Sequence, residues 1–382
     1  MNFKYKIFAY IFNFFKLFSF NRNDVFFILD KKNSFNGNSK FIKNELSKRD
    51  KFKFYTLSKE DYSFQGVKSP INTIKKFFTL LNFFFIGSYR LSKSKYVFLN
   101  DNFFPLAYMN FNKDVTIFQL WHAPGAFKKF GISSLDDENV KILTKLSNKN
   151  LKLSVSSKNI FEFYQEAFGV NKDQIFNFGV PRIDYYFNKK YNNNENIKNI
   201  RKNLERRYPE IKGKKLVLYA PTFRENKEKN DDIVNKFDFK RFNSCLGDKF
   251  SLIFKSHPKI TTPSIEGVID LTTYSDEKEL LLISDILITD YSSLMVEYAL
   301  LSKPIIFYPF DLDYYLKYER GFYFDYKDVP GPIAKDTDEI IKIIKNNDFD
   351  FNLIDNFVKN NYDYLDSNSS KRIVDYVLKS EF

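Results

Sequence analysis

The chain holds two histidines in 382 residues, and both stand beside residues that could put them to use. His122 lies in "LWHAPGAFKKFG" (120–131), a loop of Ala, Pro and Gly. An imidazole of ordinary pKa, about 6.5, can take a proton from an attacking hydroxyl at neutral pH. A structural histidine wedged beside Trp121 is the competing reading. Lys128 and Lys129 follow on the same loop and could screen an anionic acceptor, although surface lysines are commonly inert. His257 stands in "FKSHP" with Lys255, and "YAPTFR" carries Thr222 and Arg224. "ITDYSSLMVEYALL" supplies Asp290, Ser292 and Ser293 ahead of an apolar-periodic helix, with Glu297 one turn in. Serines at a helix start offer hydroxyls and free backbone N–H groups at the positive end of the dipole, where a phosphate can be held. Taken alone, Ser and Asp there are more often plain caps. Arg forks onto phosphate oxygens and Lys adds a point charge, while Glu297 could accept a ribose hydroxyl. Clustered, these groups suit phosphoryl transfer, which asks a protein chiefly for positioned charge and donors.

The segments come together only if strands deliver them. Short β-rich runs alternate with helical stretches: "VFFILD" (25–30), "KFYTLS" (53–58), "KYVFLND" (95–101), "VTIFQLW" (115–121) and "LKLSVSS" (151–157). That is the rhythm of a parallel sheet. After an Asn- and Lys-rich stretch it restarts with "KLVLYAP" (215–221), "FSLIFKSHP" (250–258), "DILITDYSS" (285–293) and "PIIFYPF" (304–310). The expectation is an α/β chain of two doubly wound domains, 23–190 and 209–382. Ligands in such sheets bind beyond the carboxyl ends of the strands, and each candidate residue above follows a strand.

Composition narrows the partners. A net charge of +13 favours something anionic: a phosphorylated substrate, an acidic membrane surface or nucleic acid. The positive charge is spread along the chain, with neither a recognition-helix pattern nor a paired-aromatic RNA motif, so nucleic acid is not expected. One cysteine, Cys245, excludes an internal disulfide and a cysteine-built zinc site. No secretory signal pattern is present, so the cytoplasm is the default. Residues 1–22, "MNFKYKIFAYIFNFFKLFSFNR", hold lysines, no acid and many aromatics. Lys6 and Lys16 interrupt the apolar run well short of the ~20 residues a spanning helix needs. As a helix, the segment places Asn2, Lys6, Asn13 and Lys16 on one narrow strip and leaves a broad aromatic face. Such a helix either lies in a membrane interface or packs on its own domain, and the wide lysine-bearing aromatic face favours lipid.

"QLWHAPGAFKKFG", "FGVPRIDYYF", "LYAPTFR", "FKSHP", "ITDYSSLMVEYALLSKPIIFY" and "ERGFYFDYKDVPGPIAK" together resemble the CDP-glycerol glycerophosphotransferase family, which primes and polymerises teichoic acids and related capsular polymers. The resemblance implies a GT-B-like pair of Rossmann-type domains facing across a cleft. It places CDP-glycerol in the C-terminal domain and a lipid-linked glycan or polymer acceptor toward the N-terminal one. It implies attack of an acceptor hydroxyl on the phosphorus bearing glycerol, with CMP leaving. His122 matches the family's proposed base, and His257 matches a catalytic histidine that helps hold the donor diphosphate. Arg224, Ser292 and Ser293 match phosphate-binding positions of the family, with Asp290 and Glu297 where donor contacts or loop-ordering roles fall, while Thr222 and Lys255 stand as substrate-binding candidates from their places at the strand ends. No cofactor and no obligatory metal are expected, and the implied location is peripheral, on the cytoplasmic face of the membrane.

Two departures bear on the acceptor side: Ala123, Pro124 and Gly125 stand where many members read Gly-Thr-Pro, and Ile183 where Asn or Thr is frequent. The lack of a long extra N-terminal region leans toward a primase or a compact capsule polymerase. CDP-ribitol on the same scaffold, or a nucleotide sugar in a GT-B glycosyltransferase, are the alternative donors.

Overall fold

The computed structural model describes residues 3–18, 24–29, 35–62, 70–257 and 265–379, so residues 1–2 and 19–22, Asp30 and Pro258 of the segments above lie outside it. The chain forms two compact units. Unit 1 comprises Met1–Ala123, Phe130–Asp184 and Asp366–Phe382, and unit 2 comprises Pro124–Lys129 and Tyr185–Leu365.

In unit 1 the strands are β1 (Asp24–Leu29), β2 (Lys53–Ser58), β3 (Ser94–Leu99), β4 (Thr116–Gln119), β5 (Leu151–Ser154) and β6 (Ile175–Phe176). They pair in parallel in the order β2-β1-β3-β4-β5-β6. β1 is apolar and buried from Val25 to Leu29, as a parallel strand covered on both faces must be. Phe26 and Ile28 enter one core with Val97 and Leu99, while Val25, Phe27 and Leu29 enter the other with Phe98 and Phe118.

Unit 2 continues with β7 (Lys215–Tyr219), β8 (Phe250–Phe254), β9 (Val268–Asp270), β10 (Ile286–Thr289) and β11 (Ile305–Phe307). Its parallel order is β11-β10-β7-β8-β9. Succession therefore reverses at β7, and the gap between the carboxyl ends of β7 and β10 is the switch point where such sheets receive ligands.

All the strands expected from the sequence form. β6 and β9 went unseen because two and three residues are too few for periodicity to register. The domain division differs in three places. The change of unit falls at Asp184/Tyr185 rather than near 190, and the stretch between the two expected domains folds as the helix Asn194–Arg207, burying Ile200 and Leu204. Pro124–Lys129 belongs to unit 2. The helix Ser369–Lys379 belongs to unit 1, because Ile373, Val374 and Val377 are buried with Val25, Phe27 and Leu29. Asp184 caps that helix by accepting from the Ser369 and Ser370 N–H groups, each at 2.9 Å.

The N-terminal helix α1 (Phe3–Lys16) packs on unit 1 with Tyr5, Phe8, Ala9 and Phe12 buried. Phe8 meets Phe83 at 4.4 Å and Phe103 at 5.6 Å between ring centroids. The polar strip is outward only in part: Lys6 is exposed, whereas Lys16 Nζ donates to Asn110 O at 2.8 Å, and Asn13 Oδ1 accepts from Asn110 N at 3.1 Å. One part of the aromatic face is thus core, and the other part, Phe3, Tyr10 and Phe14, is exposed. Among the described residues no helix is long and apolar enough to cross a membrane.

Candidate active site

At the switch point of unit 2 the chain leaving β7 is stitched to the chain leaving β10. Ala220 N donates to Ile288 O at 2.9 Å, Thr289 Oγ1 donates to Ala220 O at 2.7 Å, and Thr222 N donates to Asp290 Oδ1 at 2.7 Å. Thr222, Asp290, Ser292 and Ser293 are therefore brought together, as expected. The Ser292 hydroxyl accepts from Leu294 N at 3.3 Å, so it also starts the helix Leu294–Ala299. The Thr222 hydroxyl is buried without a hydrogen-bond partner among the described residues.

Arg224 departs from the expected phosphate contact. Its side chain is 0% exposed. Nε donates to Asp311 Oδ2 at 2.8 Å, Nη2 to Asp311 Oδ1 at 2.7 Å and to Asp290 Oδ2 at 2.8 Å, and Nη1 to the Thr222 carbonyl. Its guanidinium lies 4.8 Å from the Tyr291 ring centroid and 5.1 Å from that of Tyr315. Burial works against the charge, but Asp290 and Asp311 outweigh it and hold the Arg224 pKa above its ordinary value. A guanidinium so engaged is a brace between three strand ends. Asp290 is likewise a scaffold residue, fully buried, and its carbonyl accepts from Tyr326 OH at 2.8 Å.

Lys255 and Glu297 also differ from expectation. Lys255 Nζ points to the carbonyls of Leu271, Thr272 and Tyr274 at 3.4, 3.3 and 3.1 Å, where burial lowers its pKa. Glu297 is buried, because it faces Tyr186, whose hydroxyl donates to Oε2 at 2.9 Å. Both side chains are turned into the unit. His257 follows β8, is exposed, and packs its ring 5.1 Å from Phe223.

In unit 1 His122 follows β4. Trp121 before it takes a left-handed backbone, φ +55°, a strained conformation for a bulky residue. Helix α2 (Gly37–Leu46) supplies the residue that holds the loop. Asn38 is 2% exposed; its Nδ2 donates to Leu120 O at 3.1 Å and to Trp121 O at 2.7 Å, and its Oδ1 accepts from Arg182 N at 2.8 Å. Arg182 Nη1 donates to His122 O at 2.9 Å. Trp121 is fixed in turn by Phe130 and Phe168, at 5.2 and 5.1 Å. His122 stays exposed with its ring 4.0 Å from the indole, so the loop is buried and the imidazole is presented. Ile183, the departure in "PRID", is fully buried.

Sequence reasoning missed Asn38, Tyr186 and Asp311. Asp311 had a signal, an acid just past the strand run "PIIFYPF"; Asn38 had none in an Asn-rich chain. Among the described residues no group of three or more His, Cys, Asp and Glu side chains is placed to hold a metal ion.

The family model for CDP-glycerol:poly(glycerophosphate) glycerophosphotransferase matches residues 9–379. The teichoic acid poly(ribitol-phosphate) polymerase of Bacillus spizizenii W23 is 35% identical over 97% of this chain and 59% of its own length. The chain thus spans under two thirds of that relative. The teichoic acid glycerol-phosphate primase of Bacillus subtilis 168 is 31% identical over 81% of this chain and 77% of the primase. A solved structure of the wall teichoic acid polymerase TagF is 26% identical with a TM-score of 0.73, covering 94% of this chain and 88% of that one. A TagF variant soaked with CDPG scores 0.75 at 25% identity. Two doubly wound units of GT-B-like fold and a family match along nearly the whole sequence lead to one conclusion: this chain belongs to the CDP-glycerol:poly(glycerophosphate) glycerophosphotransferase family.

Proposed function

We propose that the chain transfers an alditol phosphate from a CDP-alditol to a hydroxyl of a membrane-linked glycan or polymer end, releasing CMP, in teichoic acid or capsule biosynthesis. The acceptor oxygen bonds to the alditol-bearing phosphorus, the bond from that phosphorus to the bridging oxygen breaks, and CMP leaves with the bridging oxygen. His122 takes the acceptor's proton. Thr222, Ser292, Ser293 and His257 serve the donor, while Arg224, Asp290, Lys255 and Glu297 hold the loops that carry them. No cofactor is invoked, since the CDP-alditol is a substrate. The observation that carries this reading is the convergence of Thr222 and the Asp290–Ser293 turn on the β7/β10 switch point in a chain of this family.

Glycerol is the cargo the sequence motifs favour, and the CDPG-soaked TagF supports it. Ribitol is supported by the polymerase at 35% identity. Purified protein is incubated with CDP-glycerol, CDP-ribitol or a UDP-sugar, with and without a synthetic lipid-linked disaccharide. Acceptor-dependent CMP release with an alditol donor is expected. One added unit by product mass means a primase and a ladder means a polymerase, whereas no product with either alditol donor sinks the proposal.

The acceptor calls for a peripheral place on the cytoplasmic face of the membrane. In support, exposed Phe3, Tyr10 and Phe14 of α1 and exposed Phe77, Phe78, Phe85 and Ile86 all lie on unit 1. Anionic lipid adds about 1 kcal/mol per nearby Lys or Arg, so vesicle flotation should fall with salt. Binding that survives replacement of Tyr10 and Phe14 by Ser, undiminished, would refute the contribution of α1.

A further inference from the structure

Residues 124–129 are locked into unit 2 by backbone and rings. Phe127 stacks on Phe322 with centroids 4.9 Å apart and packs against Phe324 at 5.2 Å. Tyr323 N donates to Phe127 O at 3.0 Å and Lys129 N to Gly321 O at 2.9 Å, which sets Lys128 opposite Phe322 in an antiparallel bridge. Gly125 permits the approach: its φ is +68°, and a Cβ there would stand 2.8 Å from Val296 Cγ1. Lys128 is therefore fixed in place rather than carried on a loose loop.

Its bridge partner Phe322 packs on Tyr291 of the switch-point turn, ring centroids 5.7 Å apart, which places Lys128 where its charge interacts with those of Asp290, Arg224, Glu319 and Arg320. Both carboxylates already accept other hydrogen bonds. Asp290 is taken by Arg224, Thr222 N and Tyr291 N, and both Glu319 oxygens accept from Glu225 N, at 3.0 and 3.2 Å. Among the described residues the Lys128 ammonium makes no hydrogen bond or ion pair. Burial lowers its pKa to about 8, with Arg320 and Arg224 adding to the fall and Asp290 and Glu319 opposing it. A cation held where its own charge is disfavoured is stabilised by an arriving anion.

Resting on the transferase reading above, we propose that the Lys128 ammonium, with Arg320 beside it, is the cationic contact for the donor's diphosphate, the part expected of Arg224. Lysine suits it as a compact point charge, one that costs the empty site its proton only as pH passes about 8.

Calorimetric titration of the full chain with CDP and with inorganic pyrophosphate, from about pH 7 to about pH 9.5, tests this. Wild-type affinity is expected to fall as pH rises through about 8. Lys128→Arg, whose guanidinium stays charged, should bind without that fall, and Lys128→Met should bind at least about tenfold more weakly at pH 7. Lys128→Met should also unfold at the same or a higher temperature, because it removes a half-buried cation that makes no hydrogen bond or ion pair among the described residues. Binding by Lys128→Met within twofold of wild type overturns the proposal, and so does a lowered unfolding temperature accompanying the loss, which would mark a structural lysine. Wild-type protein that binds pyrophosphate but not CDP removes the cytidine donor from the transferase reading, and Lys128 is then judged by the same variants on pyrophosphate. Binding of neither probe overturns both.

Discussion

Two strand-end loops, one in each unit, are held by opposite means. The loops after β7 and β10 are braced by buried charge: Arg224 is spanned by Asp290 and Asp311, each contact within 2.8 Å. The His122 loop is braced by a buried neutral side chain, Asn38, with the half-buried Arg182 bonding the His122 carbonyl, and carries a strained residue at Trp121. In unit 2 the residues with the most conspicuous chemistry are spent on the scaffold, and the proposed ligand contacts are Thr222, the serines, His257 and Lys128. In unit 1 the conspicuous residue is the exposed one, and the buried part of the scaffold is an asparagine no motif flags. Saturation decides the role: a group whose hydrogen-bonding capacity is already filled inside the protein has nothing left for a substrate.

The sharpest break is at His122. Loss of a general base costs on the order of 10²- to 10⁴-fold in rate with little change in ground-state binding. His122→Ala should therefore lose transfer in single-turnover assays while donor affinity by calorimetry stays near wild type. A variant keeping half the wild-type turnover would remove His122 from the reaction and leave the presented imidazole without a role.

Arg224→Ala should act on stability first. It strands Asp290 and Asp311 as buried carboxylates, and breaking such a network by removing one partner costs about 3–5 kcal/mol. Urea denaturation should register this, and weakened donor binding should accompany a disordered unit 2. Should Arg224→Ala unfold like wild type and yet lose the donor, the guanidinium would return to the phosphate and the contrast between the loops would fail.

Asn38→Ala is the matching cut in unit 1. It frees two carbonyls and the Arg182 N–H, at about 1–3 kcal/mol for buried groups left unsatisfied. The expected signature is a fall in kcat of up to about a hundredfold, the scale of one misplaced catalytic group, with donor KM unchanged and the pH profile preserved. A fall in donor affinity instead would mean that Asn38 does more than aim the His122 loop.

The strand ends were legible because the parallel strands announce themselves: "VFFILD" and "KLVLYAP" are apolar runs followed at once by polar residues, and both folded where the pattern put them. What could not be read was orientation. Arg224, Lys255 and Glu297 follow strands or open helices just as expected, yet all three turn inward. Their partners, Asp311, the 271–274 carbonyls and Tyr186, are distant in sequence, and a strand-end position fixes the Cα without fixing where a long side chain finds its acceptor. The N-terminal helix shows the same limit. Its periodicity was plain, but which part of a broad aromatic face meets Phe83 and Phe103 is decided by packing.

Lys255 offers the finest distinction between brace and contact. Burial lowers its pKa from the ordinary lysine value, so between the folded and unfolded values the unfolded chain binds more protons than the folded one. Stability attributable to this group then rises with pH across that window and carries its full deficit below it. Lys255→Met removes the deficit together with three carbonyl contacts at 3.1–3.4 Å, each near the long limit of a hydrogen bond. The net change in stability at neutral pH should be small, about 1 kcal/mol or less, and the alkaline rise in unfolding free energy should flatten. Donor affinity should stay within twofold of wild type. A tenfold loss of donor binding with unchanged stability would instead place the Lys255 ammonium on the ligand, and the crevice would then extend from β7 and β10 across the end of β8.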